Sequence, residues 1–490
     1  MSEVGPVGDR HGRLPVRAVH LGLGAFTRAH QLWYTQHANA DPAAGTQHAN
    51  ADPAAGWGYA GFTGRTADVA DTLRAQDCRY TVLERGPTGD RVEVVDALVA
   101  ASPGADTGAL LAALADPAVA VMTLTVTEAG YRRRGDGGLD TDDPAVRADL
   151  GELTAAAAGG RPVGALHAVP TRLAAALAAR RDAGAGPLAI VSCDNLSGNG
   201  PALARVVREA VAALADAAPA PGPYGELAGW LDATVAFPST MVDRIVPATG
   251  PADLARVAEL TGRRDPAAVV AEPFSEWVLA GGFPGGRPAW ERAGAEFVTD
   301  VSPFEDRKLW LLNGAHSLLA YTGPVRGHRT IADAAADPVC RAEVDALWDC
   351  VTGFLRFPPE DIAAYRGALL ERFTNPAIRH RLAQVAGSGS QKLAVRIVPL
   401  VRRFLGAGQP VPPPLTGVLG AWLAHLRGVG EPVDDPRADV LVPAAAGPVR
   451  EAARRVLAEL DPILAGSTDV VAAVAAASTD LERRARQRPG

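Results

Sequence analysis

The sequence predicts an α/β domain with a mostly parallel sheet over residues 17–300, followed by an all-α C-terminal domain over residues 301–490. Three observations support this division. The chain has 490 residues, too many for one compact core. In its first part, valine-rich runs of strand length alternate with alanine-rich helical segments, a pattern typical of parallel sheets. After Phe297–Val301 helical periodicity dominates, interrupted by proline-rich turns near Phe357 and Gln409–Pro414.

The first predicted strand, Arg17–Leu21, runs directly into a glycine-rich turn and a helix start at Gly22–His30. This arrangement is typical of dinucleotide sites, because glycines let the backbone approach a pyrophosphate that rests on the helix N-terminus. Thr27 stands where a third glycine is usual, so any tight strand-to-helix turn remains an alternative. The candidate cofactor contacts in this turn are Gly22, Leu23, Gly24, Ala25, Phe26 and Arg28.

An 11-residue segment, Thr35–Gly45, is repeated letter for letter at Thr46–Gly56. Solenoids need longer periods and several units, so this tandem copy indicates a duplication instead. The proline in each copy should break a helix. We therefore expect one copy to loop out before a second strand at Tyr59–Thr63, and we expect the histidines of the copies, His37 and His48, to be incidental rather than ligands.

Further runs have the composition of buried strands, with helical segments between them. These strands are Val92–Val99, Val119–Val126 and Leu188–Cys193, and the helical Thr171–Arg181 precedes the last of them. In open parallel sheets, ligands bind beyond the carboxyl ends of the strands, where Thr127 and Asn195 are placed. Alternatively, Asn195 caps a helix over Leu196–Ala212. A loop-like segment, Phe237–Pro247, then holds Asp243 and Arg244 between apolar neighbours, an arrangement that is often only structural.

Lysine is almost absent, since Lys308 and Lys392 are the only two among 48 basic Lys and Arg residues. Arginine keeps its proton in proteins, whereas a desolvated lysine can act as a base. Asn313 and His316 follow Lys308, and at ~100° per residue the three fall within about 140° on one side of a helix. The stretch predicts a proton-transfer site, with a solvated lysine beside a core histidine as the alternative.

The second lysine ends a glycine-rich turn, Ser388–Lys392, that opens a helix. The segment Asn375–Arg381 precedes it. Together, His380, Arg381 and Lys392 form a cationic group suited to an anionic substrate. The alternative is a solvated basic helix end.

Composition excludes several classes of protein. The net charge of −7 and pI of about 5.8 do not indicate binding to nucleic acid or to an anionic membrane. The sequence contains no run of 18 apolar residues and no apolar signal core near its start, so we expect a cytoplasmic location. The four cysteines lack metal-site spacing, so we expect reduced thiols and no metal.

Six motifs, taken together, resemble the mannitol dehydrogenase family, the polyol-specific long-chain dehydrogenases. They occur in family order between Val19 and about Leu405, at Gly22–Gln31, Thr125–Tyr131, Cys193–Gly200, Phe237–Pro247, Glu272–Leu279 and Lys308–Ser317. The resemblance implies an N-terminal Rossmann-type domain, a helical C-terminal domain, and metal-free, nicotinamide-dependent oxidation of a secondary alcohol. It implies a small-molecule sugar acid or polyol as the substrate; we expect a monomer or homodimer.

The resemblance also implies roles for single residues. Lys308 matches the general base, Asn195 and Asn313 match amides that hold the substrate oxygen, and His316 matches an imidazole that contacts substrate. Asp243 matches a pocket residue. Two departures, at Glu276 and at Ala280–Gly281, leave this catalytic set unchanged but make the substrate contacts less certain.

Two subgroups of the family compete. The stretches Leu311–Ser317 and Gly387–Leu393 are more similar to fructuronate (mannonate) reductases than to mannitol 2-dehydrogenases. The group of His380, Arg381 and Lys392 would bind a uronate carboxylate, which mannitol lacks. We therefore favour D-mannonate and D-fructuronate as substrates, with mannitol or arabinitol as alternatives.

Two other classes of protein are alternatives to this family. A short-chain dehydrogenase is excluded, because none of the seven tyrosines has a lysine four residues later. A nucleotide-sensing regulator is the non-enzyme alternative, although a sensor would not need a tunable lysine beside two amides.

The second predicted strand bears on the choice of cofactor. NAD-preferring sites usually place an acid after this strand, on the ribose hydroxyls. Here Asp68 follows at a short distance, whereas Arg65 is suited to a 2′-phosphate. We favour NAD as the cofactor, with NADP as the alternative.

Overall fold

A computed structural model describes residues 14–40, 56–64, 66–217 and 222–487. The chain divides into two compact units, Met1–Ser302 and Pro303–Gly490. Twelve strands lie in the described part of the first unit: β1 (Val16–Leu21), β2 (Gly58–Phe62), β3 (Tyr80–Gly86), β4 (Gly89–Val95), β5 (Leu98–Ser102), β6 (Val121–Leu124), β7 (Leu188–Ser192), β8 (Val235–Ala236), β9 (Ser239–Asp243), β10 (Val269–Ala271), β11 (Glu276–Ala280) and β12 (Glu296–Val298).

The helices of the N-terminal unit alternate with these strands. They are α1 (Ala25–Ala29), α2 (Gln31–Asn39), α3 (Asp68–Ala75), α4 (Thr107–Ala115), α5 (Pro144–Gly159), α6 (Val169–Asp182), α7 (Asn199–Ala217), α8 (Leu227–Thr234) and α9 (Pro251–Thr261). Two of these helices begin with residues that favour a helix start. Asp106 accepts from an amide at the start of α4, and Asp143 precedes a proline at the start of α5.

The main sheet contains six parallel strands in the order β5-β2-β1-β6-β7-β8. Strands β2, β6 and β7 are buried along their whole length, as expected for a parallel sheet covered on both faces. Chain order reverses between β1 and β6, which is the point at which such sheets bind ligands beyond their carboxyl ends. The predicted α/β fold with a mostly parallel sheet is confirmed.

Two predicted segments differ from the structure. The run Val92–Val99 contains the end of β4 and the start of β5, which belong to different sheets. The predicted loop Phe237–Pro247 contains β9, which pairs antiparallel with β11 so that Val242 lies opposite Trp277. The side chain of Trp277 is fully buried, and this pairing between distant segments decides the strand.

The C-terminal unit is built from helices, as predicted. They are α10 (Ser302–Arg307), which begins at the unit boundary, α11 (Gly314–Thr322), α12 (Ile331–Ala336), α13 (Pro338–Thr352), α14 (Pro359–Phe373), α15 (Leu382–Ala386), α16 (Gly389–Arg396), α17 (Val398–Gly406), α18 (Pro413–Leu426), α19 (Ala438–Ala444), α20 (Val449–Leu460), α21 (Pro462–Gly466) and α22 (Thr468–Arg486). A π-helix, Lys308–Asn313, joins α10 to α11.

The core of this unit is one apolar cluster that includes Trp310, Trp348 and Trp422. Helices α18 and α22 pack closely at Gly420, where an added Cβ would lie 2.5 Å from the Cβ of Ala477. A glycine inside a helix is unfavourable for helix formation, and this close approach explains its presence.

Candidate functional site

The turn after β1 is shaped for close approach of the backbone. Gly22 has a φ of +102°, and a Cβ built there would lie 2.0 Å from the carbonyl oxygen of Thr125. The amides of Gly22 and Leu23 both donate to the carbonyl of Phe62 at 2.8 Å. The turn is therefore held against the ends of β2 and β6, and only glycine fits at its first position.

Some of the other candidate cofactor residues are partly accessible to a ligand, and others are buried and hold the turn in place. Gly24, Ala25 and Phe26 are half-buried at the start of α1, whereas the side chain of Leu23 is buried. Arg28 is also buried: its Nε donates to the Gly24 carbonyl at 3.1 Å and its Nη1 to the Ala267 carbonyl. Arg28 thus supports the turn from beneath, and we do not propose a contact between its guanidinium and a cofactor.

Thr27, in place of the usual third glycine, belongs to a buried polar network. Its hydroxyl lies 2.8 Å from the hydroxyl of Thr125 and 2.7 Å from Nε2 of His20. Burial lowers the pKa of His20 to about 3, so the ring is neutral. The network joins β1, the start of α1 and the end of β6, which explains why a hydroxyl occupies this position.

The ends of β6 and β7 are joined by a carboxylate that the sequence did not single out. Asp194 accepts hydrogen bonds from the amides of Val126 and Thr127, both at 2.9 Å, and from the hydroxyl of Tyr131 at 3.1 Å. Burial raises the pKa of Asp194, while these donors oppose the shift. Thr127 itself is exposed, as a ligand contact would be.

Asn195 is exposed in the turn that follows β7. The next helix, α7, begins at Asn199 rather than at Leu196, so the alternative in which Asn195 caps that helix is wrong. Asn199 fixes this turn instead, because its buried amide donates to the carbonyls of Asp194 at 3.1 Å and Thr240 at 2.9 Å.

Asp243 is buried at the end of β9. The neighbouring Arg244 forms its ion pair with Glu84 at 2.5 Å and lies 4.9 Å from the ring centroid of Trp33. Arg244 also donates to the Ala29 carbonyl at 2.6 Å. Its contacts therefore bind separate parts of the N-terminal unit together, and its role is structural.

In the C-terminal unit, the stretch predicted as a regular helix starts as a π-helix. Lys308 is its first residue and is 8% exposed, and Asn313 is its last. The amide of Gly314 donates to the carbonyl of Leu309, five residues back. Hydrogen bonds of this i→i+5 type define a π-helix, so the arc of about 140° expected for an α-helix does not apply to Lys308 and Asn313.

In a π-helix the backbone carbonyls do not all accept the hydrogen bonds that they would accept in an α-helix. Two carbonyls of this π-helix accept hydrogen bonds from side chains of other helices. The indole of Trp348 donates to the Leu311 carbonyl at 2.8 Å. Nη1 of Arg396 donates to the Asn313 carbonyl at 3.2 Å and to the hydroxyl of Ser317 at 3.1 Å. The π-helix is therefore held in place by residues of α13 and α16.

Two imidazoles, those of the buried His316 and the half-buried His380, follow the π-helix in the chain. The ring centroids of His316 and His380 are 5.1 Å apart. Burial, together with nearby cations, lowers the pKa of His316 well below its usual value and that of His380 to about 4. Both rings are neutral at pH 7. Nε2 of His316 and Nδ1 of His380 are buried without a hydrogen-bond partner among the described residues, as expected of groups that meet a polar ligand.

Lys392 and Arg396 form the cationic part of this group. Nζ of Lys392 donates to the Val385 carbonyl at 3.0 Å. Burial, followed by the charge of Arg396, lowers the pKa of Lys392 to about 8. The predicted neighbour Arg381 is exposed, and Arg396 takes its place. The spacing Lys392–Arg396 is the i, i+4 spacing of one helix face, a signal already present in the sequence.

The structure contains one group of possible metal ligands among its described residues. The ligand atoms of His328, Asp337 and Cys340 lie within 4.8 Å of one another. The Asp337 carboxylate already accepts from His328 at 2.9 Å and from Arg326 at 2.8 Å, and it caps α13. Because a guanidinium occupies this oxygen, we do not propose a metal, and all four cysteines are free.

The parallel sheet, its glycine turn and the order of its strands define a domain of the Rossmann type, joined in the chain to a helical unit. Two family models match: the mannitol dehydrogenase Rossmann domain over residues 16–292 and the mannitol dehydrogenase C-terminal domain over residues 300–483. The chain belongs to the mannitol dehydrogenase family, which confirms the resemblance of its motifs.

Several relatives cover most of the chain. D-mannonate oxidoreductase of Escherichia coli K12 is 38% identical over 429 residues, 86% of this chain and 82% of the relative. Mannitol 2-dehydrogenase of Cereibacter sphaeroides is 38% identical over 431 residues, 86% of this chain and 83% of the relative. Both are oxidoreductases.

The fold is similar to that of mannitol 2-dehydrogenase of Pseudomonas fluorescens, solved as a ternary complex with NAD and D-mannitol. The TM-score is 0.78 at 31% identity, covering 97% of this chain and 95% of the other. Among the described residues, no helix is both long and apolar enough to cross a membrane.

Proposed function

We propose that this protein is an NAD-dependent dehydrogenase that interconverts the secondary alcohol of a sugar acid and the corresponding ketone, with D-mannonate and D-fructuronate as the substrate pair. The observation that supports a sugar acid is that two cations, Lys392 and Arg396, are neighbours in a partly buried site. The similarity to D-mannonate oxidoreductase supports the same choice.

The pair of cations is electrostatically unfavourable in the absence of an anion. Lys392 and Arg396 lie on one face of α16, and burial lowers the pKa of Arg396 to about 10. The charges of Asp434 and Asp435 act to raise the pKa of Lys392. However, Asp435 already accepts from the amide of Ser390 at 2.8 Å and from its hydroxyl at 2.7 Å. A substrate carboxylate would relieve the repulsion through charge-assisted hydrogen bonds. A neutral polyol would not.

Each remaining candidate has a role in the proposal. Lys308 removes the proton of the alcohol, and Asn313 donates to the alcohol oxygen as charge develops on it. Asn195 is proposed as a further amide for that oxygen. The unpaired nitrogens of His316 and His380 bind substrate hydroxyls, because a neutral imidazole offers one donor and one acceptor. Asp243 is proposed as a substrate-pocket residue, a role that rests on the family motif.

The N-terminal unit is suited to the cofactor. The turn at Gly22 and Gly24 would hold the pyrophosphate against the start of α1, and Thr127 would face it from the end of β6. Bound in this turn, NAD would supply the acceptor for the hydride that leaves the alcohol carbon. Asp68 is exposed at the start of α3, where a ribose contact is expected, whereas Arg65 lies outside the described residues. The ternary complex of the Pseudomonas fluorescens enzyme with NAD supports NAD over NADP.

The variant Lys392→Met tests the substrate. Loss of one partner of a charge-assisted pair should raise KM for mannonate about 100-fold, while KM for mannitol changes far less. Arg381→Met is the matched control, because it removes an exposed cation from the same segment and should leave both KM values unchanged.

The pH dependence gives a second measurement on the same variant. The pKa of Lys392 is about 8, so its positive charge is present below this pH and lost above it. The ratio of kcat/KM for mannonate to kcat/KM for mannitol should therefore fall above about pH 8, and Lys392→Met should abolish that fall. A wild type that oxidises mannitol and ignores mannonate would instead assign the chain to mannitol 2-dehydrogenase activity.

A further inference from the structure

We infer that Asp194 is a positioning residue, whose carboxylate holds the backbone of Thr127 in a strained conformation on the surface that meets the dinucleotide. The inference rests on the proposed function and adds a residue to it. Asp194 itself is not proposed to touch substrate or cofactor.

The strain is confined to one residue at the end of β6. Thr127 has a φ of +66° and a ψ of 162°. Glycine occupies this region almost exclusively, and a β-branched residue there is a clear outlier. Such conformations persist only where surrounding contacts determine them, and they cluster at ligand sites. Thr127 is exposed, so packing of its side chain does not impose the conformation.

The contacts that precede the Cα of Thr127 converge on Asp194, and after it the Thr127 carbonyl accepts from the amide of Gly130 at 3.0 Å. Oδ1 accepts from the amides of Val126 and Thr127 at 2.9 Å, and Oδ2 accepts from the Tyr131 hydroxyl at 3.1 Å. The backbone of Asp194 is itself held, because the buried side-chain amide of Asn199 donates to the Asp194 main-chain carbonyl at 3.1 Å. Two amides directed at one carboxylate oxygen restrict the peptide planes on both sides of Val126, just before the strained residue.

The location links this strain to the cofactor. The hydroxyl of Thr125, two residues before Thr127, donates to the carbonyl of Gly22 at 2.9 Å. The glycine turn and the strained residue are therefore joined through one side chain at the point where strand order reverses. Asp194 sets the position of the β6 end relative to that turn, and the next residue in the chain is Asn195.

The experiment measures NADH binding by fluorescence, which does not depend on any alcohol substrate. Asp194→Asn should raise the dissociation constant about 10- to 100-fold, because a charged acceptor of two amides is lost. Adding Thr127→Gly to the same chain should restore binding to within about fivefold of wild type, since glycine adopts this conformation without strain. A rescue of this kind is not expected of a carboxylate that only stabilises the fold.

Asp149→Asn is the matched control. Asp149 is 1% exposed and accepts from the amides of His167 and Ala168 and from the hydroxyl of Thr171, so it has the same kinds of donors as Asp194. Its variant should lower the melting temperature but leave NADH affinity within about threefold of wild type, because no strained residue adjoins the amides that it binds.

Three outcomes would overturn the inference. They are equal losses of NADH affinity in Asp194→Asn and Asp149→Asn, the absence of rescue by Thr127→Gly, and a large loss of affinity from Thr127→Gly alone. If Asp194→Asn does not fold, Tyr131→Phe replaces it, with a smaller loss and the same rescue expected. A wild type that binds NADH but oxidises no sugar acid or polyol would end the proposed function while leaving this test intact.

Discussion

At the scale of single residues, the chain contains two lysines, and the structure places both in the helical unit at partly or fully dry positions. Lys308 begins the π-helix and is 8% exposed, and Lys392 lies on α16 beside Arg396. The sequence predicted their importance from scarcity alone. The i, i+4 spacing of Lys392 and Arg396 was present in the sequence and was overlooked, whereas the exposure of Arg381 could be known only from the structure.

Replacement of the proposed base tests the mechanism. Lys308→Arg keeps the charge but removes a group that can release its proton, so kcat for alcohol oxidation should fall by ~10²-fold or more. Steady-state kinetics over a range of pH measures this change. Lys392→Arg is the matched control, because it makes the same substitution at a position that is proposed to need only a positive charge. This variant should retain most of kcat. Near-normal turnover by Lys308→Arg with an unchanged pH profile would contradict the role of base.

At the scale of elements, the π-helix is the feature that sequence periodicity could not predict. The pattern of Lys308–His316 fits an α-helix, whereas the observed turn depends on donors from distant elements, the indole of Trp348 and the guanidinium of Arg396. The same reason explains why β9 and β11 were missed. Each is short, and pairing with a distant strand buries it. The half-buried polar network of Asp194 was missed because its donors lie far from Asp194 in sequence.

Some elements could be predicted from their own residues alone, without knowledge of their distant partners. The strand β1, its glycine turn and helix α6 were predicted to within a few residues, because apolar runs and turn glycines act locally. The predicted proline-rich turn at Gln409–Pro414 lies between α17 and α18 as far as Pro412, and its last two prolines begin α18. The run Val92–Val99 was misread, since valine content does not show that Asp96 and Ala97 separate two strands of different sheets.

The contact between α16 and the π-helix leads to a prediction at this scale. Arg396→Met removes the donor to the Asn313 carbonyl, so the amide proposed to bind the alcohol oxygen loses its fixed position. We expect kcat to fall about 10-fold or more for mannonate and mannitol alike. Ser317→Ala is the control, because it removes only the second acceptor of the same guanidinium and should change kcat little. An unchanged kcat for mannitol would show that Arg396 serves only the substrate carboxylate and does not orient Asn313.

At the scale of the whole molecule, buried arginines connect segments that are distant in sequence. Arg180 is fully buried and donates to the carbonyls of Leu114 at 2.7 Å, Gly186 at 2.8 Å and Val119 at 2.8 Å. Arg28 and Arg244 have the same kind of contact. A planar guanidinium with five donors can satisfy several carbonyls at once, whereas an ammonium cannot do so in the same geometry. Exposed ion pairs, by contrast, contribute little each.

The tandem repeat gives the last prediction. The side chain of Asn39 donates to the Trp57 carbonyl at 2.9 Å and accepts from the Trp57 amide at 3.0 Å, so the described ends of this region are tied together. Removing Thr46–Gly56 leaves five residues between Ala40 and Trp57, enough to span up to about 18 Å. Because a shorter connection changes loop entropy by only about 1 kcal/mol, NADH affinity and turnover should be unchanged and the melting temperature should stay within about 4 °C. Asn39→Ala, which breaks both bonds, should lower the melting temperature more than the deletion does. Loss of NADH binding on deletion would show that the second copy is built into the N-terminal unit.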